Sequence, residues 1–318
     1  MAYTQIGHFS VYGGNMLNKS SNETGFKETF EMKHLKDLEL PNENYLKIYA
    51  LPISNSKFDY KNLKEIVANN IKNYVYSRRE IKEAIEKNVA DGLYAKALNK
   101  FRNIKNEKDN GSGSELGEIL LYLFMECDLK APKILSKMEL KTNKNDYVKG
   151  ADGVFLHSYN KDEYKVFDLV IGEAKIENQI SKAISDAIDS IKDHLEQEDF
   201  EVDLVNENIF KEKFDIEEAE ELKKIIVPSN TKPKDIVTNK AFGIFIGYSL
   251  NVDLNGISNI DAIELIEKEI EKNSESIVKN LKKKIKQNKW EKYSFYVYIL
   301  PFNNAKDDRK DIMKYILG

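Results

Sequence analysis

Apolar positions along this chain follow two rhythms. A spacing of three to four residues marks one face of a helix, and an alternating or continuous run marks a strand. Tyr45–Leu51 predicts a strand near the start. Leu63, Ile66, Val67, Ile71 and Val75 then recur at helical spacing and predict helices over Tyr60–Tyr76 and Arg78–Phe101. Asn106–Ser114 (NEKDNGSGS) is polar and rich in Gly and Ser, the composition of a linker or loop. Beyond it, Glu115–Cys127 (ELGEILLYLFMEC) carries an apolar stripe of Leu116, Ile119, Leu120, Leu123 and Phe124, with Ser114 placed to cap the helix start.

A strand-like segment at Lys133–Thr142 leads to Gly150–His157 (GADGVFLH). Asn160-Lys-Asp162 then has the character of a hairpin turn into Tyr164–Lys175 (YKVFDLVIGEAK). Glu177–Leu195 predicts a helix, with Ile180, Ala183, Ile184, Ala187, Ile188 and Ile191 on one side. The acidic stretch from about 196 to 238 holds a helical patch but little apolar pattern and reads as an insertion. Ala241–Leu250 (AFGIFIGYSL) is apolar on both parities, as in a strand covered on both faces. A long Lys/Glu-rich helix over Asn259–Gln287, a buried strand at Ser294–Pro301 and a closing helix at Asp307–Leu317 complete the chain. From residue 115 onward the order α-β-β-β-α-β-α-β-α predicts an α/β layered domain. The expected division is an N-terminal α+β region over 1–110, suited to partner contacts, and a second domain over 111–318.

Composition narrows the function classes. A chain of 318 residues with 41% hydrophobic residues, 17 Tyr and 15 Phe is not disordered throughout. One cysteine, Cys127, excludes an intrachain disulfide and a thiolate zinc cluster. The start lacks the basic and apolar regions of a signal peptide, and no apolar run approaches the roughly 18 to 20 residues of a membrane span, so a cytoplasmic protein is expected. The net charge of -4 argues against a uniformly basic nucleic-acid coat, but the charge is uneven. Six lysines stand against two acids over 130–149, twelve acids against two lysines over 196–221, and seven lysines against Glu291 over 279–292.

The chemistry-bearing pattern is Asp152 in Gly150-Ala-Asp-Gly153, followed after twenty residues by Glu173-Ala-Lys175. Glu-x-Lys alone carries no information here, because it occurs six times. Position distinguishes this copy. Glu173 and Lys175 end a strand whose residues Phe167, Leu169 and Ile171 share their parity, so the charges fall at a rim or in a cleft. Asp152 opens the neighbouring strand, and an antiparallel hairpin would bring it beside Glu173, with Lys175 next to them. Two close carboxylates need a cation between them. Asp152 and Glu173, with the Ala174 carbonyl, would hold Mg2+ (or Mn2+), and Lys175 would orient a water or stabilise the developing anion in phosphodiester hydrolysis.

A helix with Gly-Glu, a strand, an Asp-bearing strand, a strand ending in Glu-x-Lys and another helix together resemble the PD-(D/E)XK nuclease superfamily. Ala151 stands where that motif commonly has Pro. The run Lys137-Met-Glu-Leu-Lys-Thr142, Gly150-Ala-Asp-Gly153, Gly172-Glu-Ala-Lys175 and the strand ending Leu300-Pro301 resemble, more narrowly, the HamA family. The resemblance implies a restriction-endonuclease-like core, a mixed sheet flanked by helices. It also implies a metal-dependent DNA endonuclease acting in Hachiman anti-phage defence with a superfamily 2 helicase, HamB. In many members of that superfamily a Glu of the first core helix also faces the metal. Helical geometry leaves Glu115 and Glu118 both open; the resemblance points to Glu118. Lys137 and Lys141, on one parity of the expected strand, and Gln179 are candidates for DNA phosphates. His194, on the same helix as Gln179, could contact a base or phosphate, whereas the parity of His157 differs from that of Asp152 and removes it from the ligand set. A stand-alone restriction or repair endonuclease would need a sequence-reading element that is not evident. A catalytically silent adaptor would have no need of two neighbouring carboxylates.

Overall fold

The computed structural model describes residues 17–105, 113–141, 150–196, 213–226, 235–254 and 256–318. The chain opens with α1 (Phe26–Thr29), β1 (Glu31–Lys36), β2 (Asn44–Ala50) and a small ribbon of β3 (Ile53–Ser54) and β4 (Lys57–Phe58). Then come α2 (Lys61–Val75), α3 (Arg78–Glu86), α4 (Leu93–Lys105) and α5 (Glu115–Phe124). β5 (Lys133–Ser136), α6 (Lys137–Lys141), β6 (Gly153–Lys161) and β7 (Tyr164–Glu177) follow. The remainder is α7 (Ile180–Leu195), α8 (Ile216–Ile226), β8 (Ile236–Ser249), α9 (Asn259–Gln287), β9 (Ser294–Phe302) and α10 (Ala305–Leu317).

Seven strands form one mixed sheet in the order β1-β2-β9-β8-β7-β6-β5. β2, β9, β8 and β7 run parallel, while β1, β6 and β5 are antiparallel to their neighbours. The parallel centre accounts for the continuous apolar runs: every residue of β9 is buried, because helices cover both faces. α5 lies on one face with α2 and α10 packed around it, and α7 and α9 lie on the other. This is the α/β, restriction-endonuclease-like layering expected. β1 and β2, from the N-terminal region, pair into the same sheet as the strands beyond residue 111.

Local differences from the sequence pattern have identifiable causes. Ser77 and Glu80 form a capping box that starts α3, and Asn88 in the left-handed conformation with a 3-10 turn at Ala90–Gly92 divides the expected helix over Arg78–Phe101. Ser114 has helical dihedrals and does not cap α5. The α5 helix ends at Phe124, and Met125–Leu129 continues as a π turn. The strand expected over Lys133–Thr142 stops at Ser136, because Ser136 and Glu139 form a second reciprocal cap and turn the chain into α6. The hairpin turn falls at Asp162-Glu163, one step later than expected, with Asp162 at φ 53°. Within the described part of the acidic stretch, α8 buries Leu222, Ile225 and Ile226, and β8 begins at Ile236. Residues 106–112 of the expected linker lie outside the described residues.

Close approach of α5 to β7 depends on small residues. A Cβ on Gly172 would stand 2.8 Å from Leu121 Cδ2 and 3.1 Å from the Gly153 carbonyl oxygen, the second a backbone atom that side-chain rotation cannot relieve. Gly172→Ala is therefore expected to destabilise the fold by about 1–3 kcal/mol through overpacking. A lower urea midpoint with an unchanged slope would show it; an unchanged midpoint would contradict it.

Candidate active site

The β6–β7 register places the central residues. Gly153 pairs with Gly172, and the ladder continues to Lys161 opposite Tyr164. Asp152, one residue before β6, therefore lies beside Glu173. Its backbone N–H donates to the Gly172 carbonyl at 2.9 Å, and its Oδ2 accepts the Ala174 N–H at 2.7 Å. β7 runs on past the end of this hairpin, so this edge of Ala174 is free to meet a side chain. In a strand the N–H and C=O of one residue point to the same side, so the Ala174 carbonyl faces this gap as well.

The two faces of the sheet contribute different groups. Gly172 and Ala174 face α5, whose Gly117 approaches Ala174. Glu173 and Lys175 point to the other face, where α7 brings His194 Nε2 to 3.6 Å from Glu173 Oε2. At that distance the contact is electrostatic, and neither atom has a hydrogen-bond partner among the described residues. Lys175 Nζ donates to Glu173 Oε1. From the α5 side Glu118 reaches the same region through Lys137, whose ammonium lies 3.0 Å from Glu118 Oε1 and 2.6 Å from Asp152 Oδ1. Tyr74 of α2 donates its hydroxyl to Glu118 Oε2 at 2.8 Å.

Electrostatics follow from this layout. Asp152 is only 4% exposed. Burial, then the Glu173 charge, push its carboxyl up to about 7 against the pull of Lys137. Burial also acts on Glu173, yet the His194 ring and Lys175 together outweigh it and hold that carboxyl below the ordinary range. For Lys137, burial favours the neutral amine, but the charges of Glu118 and Asp152 prevail and raise it above the usual lysine value.

Asp152, Glu173, Ala174 and Lys175 thus come together, and Glu118 joins them through Lys137. Glu115 is buried on the same helix, but the carboxylates that act on Asp152 are Glu173 and Glu118. Among the described residues, no three His, Cys, Asp or Glu side chains group closely enough to hold a metal ion by themselves. The donor set present is one or two carboxylates with a main-chain carbonyl, the remainder left to water, and this suits Mg2+. The buried Glu173 Oε2, which has no hydrogen bond among the described residues, is the observation that supports this fit. Lys137 opens a short helix instead of lying on a strand face, and it pairs with the site's carboxylates. The Lys141 side chain lies outside the described residues. Gln179 is exposed at the start of α7, and its carbonyl accepts the Lys182 and Ala183 N–H groups.

Three contributors escaped the sequence reading in these roles. His194 stands three residues after Ile191 on the apolar side of α7, where a buried histidine needs a polar partner, and that spacing was the available signal. Tyr74 continues the stripe of Leu63, Val67 and Ile71. Lys137 carried no signal beyond its charge, because its place depends on the turn at Ser136.

The family model of HamA matches residues 25–316, nearly the whole chain, and the chain belongs to the HamA family. This family is a component of the Hachiman defence system. No curated protein matches the chain. No described helix is long and apolar enough to cross a membrane.

His157 lies well down β6 opposite Asp168, its ring 5.5 Å from those of Tyr159 and Tyr296. Burial pushes its imidazole down to about 4. The unfolded chain therefore binds more protons than the folded one between that value and the ordinary histidine value. The stabilisation is complete above about pH 6.5 and is lost as pH falls through 4, on the order of 3 kcal/mol. Urea unfolding from pH 7 to 4 should show this slope reduced in His157→Gln; an identical slope in both proteins would contradict it.

Proposed function

We propose that this HamA-family chain is a divalent-metal-dependent DNA endonuclease, the hydrolytic effector of its defence system, working with a helicase partner of the HamB kind. The observation that carries the reading is the meeting of Asp152, Glu173 and Lys175 at the β6–β7 strand ends, with the Ala174 backbone turned toward Asp152. Asp152, Glu173 and the Ala174 carbonyl would hold Mg2+ or Mn2+, with Glu118 as a further ligand. The chemistry such an ion supplies is a bound water of lowered pKa and neutralisation of charge on the phosphate.

The chain's own residues account for the rest. Lys175 is half-buried next to Glu173, so its ammonium can donate to a phosphate oxygen or hold the attacking water while its charge favours the anionic transition state. The His194 ring, with Lys175, helps to keep Glu173 ionised. The Ala174 N–H fixes Asp152 Oδ2, which sets the direction of the other oxygen. Gln179, and Lys141 on α6, supply polar groups for the DNA backbone.

Purified chain incubated with plasmid DNA, with and without the helicase, in Mg2+ or in EDTA, tests the proposal. Cleavage is expected in Mg2+, lost in EDTA, and reduced about 100-fold or more by Glu173→Ala or Lys175→Ala, with the circular dichroism of the folded protein retained. Cleavage that persists in EDTA would rule out the metal mechanism, and no cleavage under any condition would favour an adaptor.

A further inference from the structure

Two lysines near the site are removed from solvent in different ways. Lys133 is 1% exposed in its side chain, and its ammonium meets the carbonyls of Asn73, Tyr74 and Tyr76 at 2.8, 3.0 and 3.0 Å as well as Glu139 Oε2 at 3.1 Å. Four partners, three of them backbone, make it a fixed part of the scaffold. Lys137 is 29% exposed and its described partners are two carboxylates, Glu118 and Asp152, with no backbone carbonyl among them. The side chain is thus partly open to solvent, and its ammonium can leave without dragging backbone with it.

The carboxylates it joins are held independently of it. Asp152 uses Oδ1 for Lys137, while Oδ2 is fixed by the Ala174 N–H. Glu118 uses Oε1 for Lys137, while Oε2 is fixed by the Tyr74 hydroxyl. Each acid therefore keeps its place when the lysine departs, and each then presents a bare oxygen to the same space. Both are 4% exposed, so that space cannot stay without positive charge.

We propose that Lys137 is a resident counter-cation, exchangeable with the divalent ion, and that its withdrawal from between Glu118 and Asp152 is the step that opens the site to metal. This rests on the reading of the site as a metal centre. The lysine offsets carboxylate charge in the unloaded protein and sets a threshold for loading, because an entering ion must displace an ion pair rather than fill an open cage.

Calorimetric titration with Mn2+ and with Mg2+, paired with thermal melts of the full chain, tests this directly. Lys137→Met is expected to melt lower than wild type without metal, to gain more in Tm on addition of Mn2+, and to bind Mn2+ roughly tenfold more tightly. Should Lys137→Met not fold, the comparison moves to Glu118→Gln against Glu118→Gln/Lys137→Met, in which the opposed carboxylates no longer repel. The double variant is again expected to bind Mn2+ more tightly. Equal or weaker affinity on removal of Lys137, in whichever background is folded, would overturn the inference and place the lysine beside the metal instead. Absence of Mn2+ binding in every folded variant would overturn the metal reading itself, and this inference with it.

Discussion

Buried carboxylates that face one another must share a cation, and the centre of this protein is arranged around that requirement. Asp152 and Glu118 approach from different elements, one from the end of a strand and the other from a helix, and meet on the ammonium of Lys137. Glu173, next to Asp152 in the hairpin register, has its own counter-charge in Lys175, with the His194 ring adjacent. The hairpin register fixes the first distance in sequence, from 152 to 173. Glycine at 172 lets α5 approach closely enough for Glu118 to reach the strand ends. Removing either support would leave charge buried without its counter-charge, which costs far more than a surface ion pair.

Support for the site reaches well into the N-terminal region. Glu126, fully buried, accepts the N–H groups of Ser20, Ser21 and Lys133, at 2.7, 2.5 and 2.8 Å, and meets the Arg78 guanidinium at 3.4 Å. Through it, residues 20–21, the start of α3 and β5 are tied to the π turn after α5. Lys133 in turn gathers the carbonyls at the end of α2, the helix that carries Tyr74 and so orients Glu118. Residues before 105 thus hold a carboxylate of the site through one hydroxyl and several backbone groups. A charge-assisted network of this kind is rigid because every member is satisfied by groups that are themselves fixed.

Much of the architecture was legible because it rests on periodicity. The central strands, the α9 seam and the opposition of Asp152 to Glu173 all follow from residue parity and helical spacing, which a single sequence displays. The α6 turn was not, because Lys133–Thr142 alternates plausibly as a strand while the Ser136-x-x-Glu139 cap acts locally to end it. That one turn carries Lys137 from an expected open face to the space between two acids. The choice between Glu115 and Glu118 was equally hidden. α5 is buried on all sides, so its apolar stripe does not single out one polar face, and the selection comes from Tyr74 and Lys137, which lie 44 residues before Glu118 and on the short helix after β5.

The same cap determines how freely Lys137 can move. Glu139 Oε2 accepts the Ser136 N–H at 2.8 Å, the Ser136 hydroxyl at 2.9 Å and lies 3.1 Å from the Lys133 ammonium, so the first turn of α6 is anchored by a residue two positions away from Lys137. The Lys137 N–H also donates to the Asp152 carbonyl at 3.1 Å, fixing its backbone against the strand whose carboxylate it neutralises. Backbone and helix therefore stay in place whichever way the side chain points. Exchange of the ammonium is then a rotamer change in a half-buried lysine rather than an opening of the fold. Such a change is local and fast compared with any rearrangement of the sheet. A gate built this way separates the stability of the scaffold from the electrostatic state of the site, because the groups that hold the carboxylates in position are not the group that holds their charge.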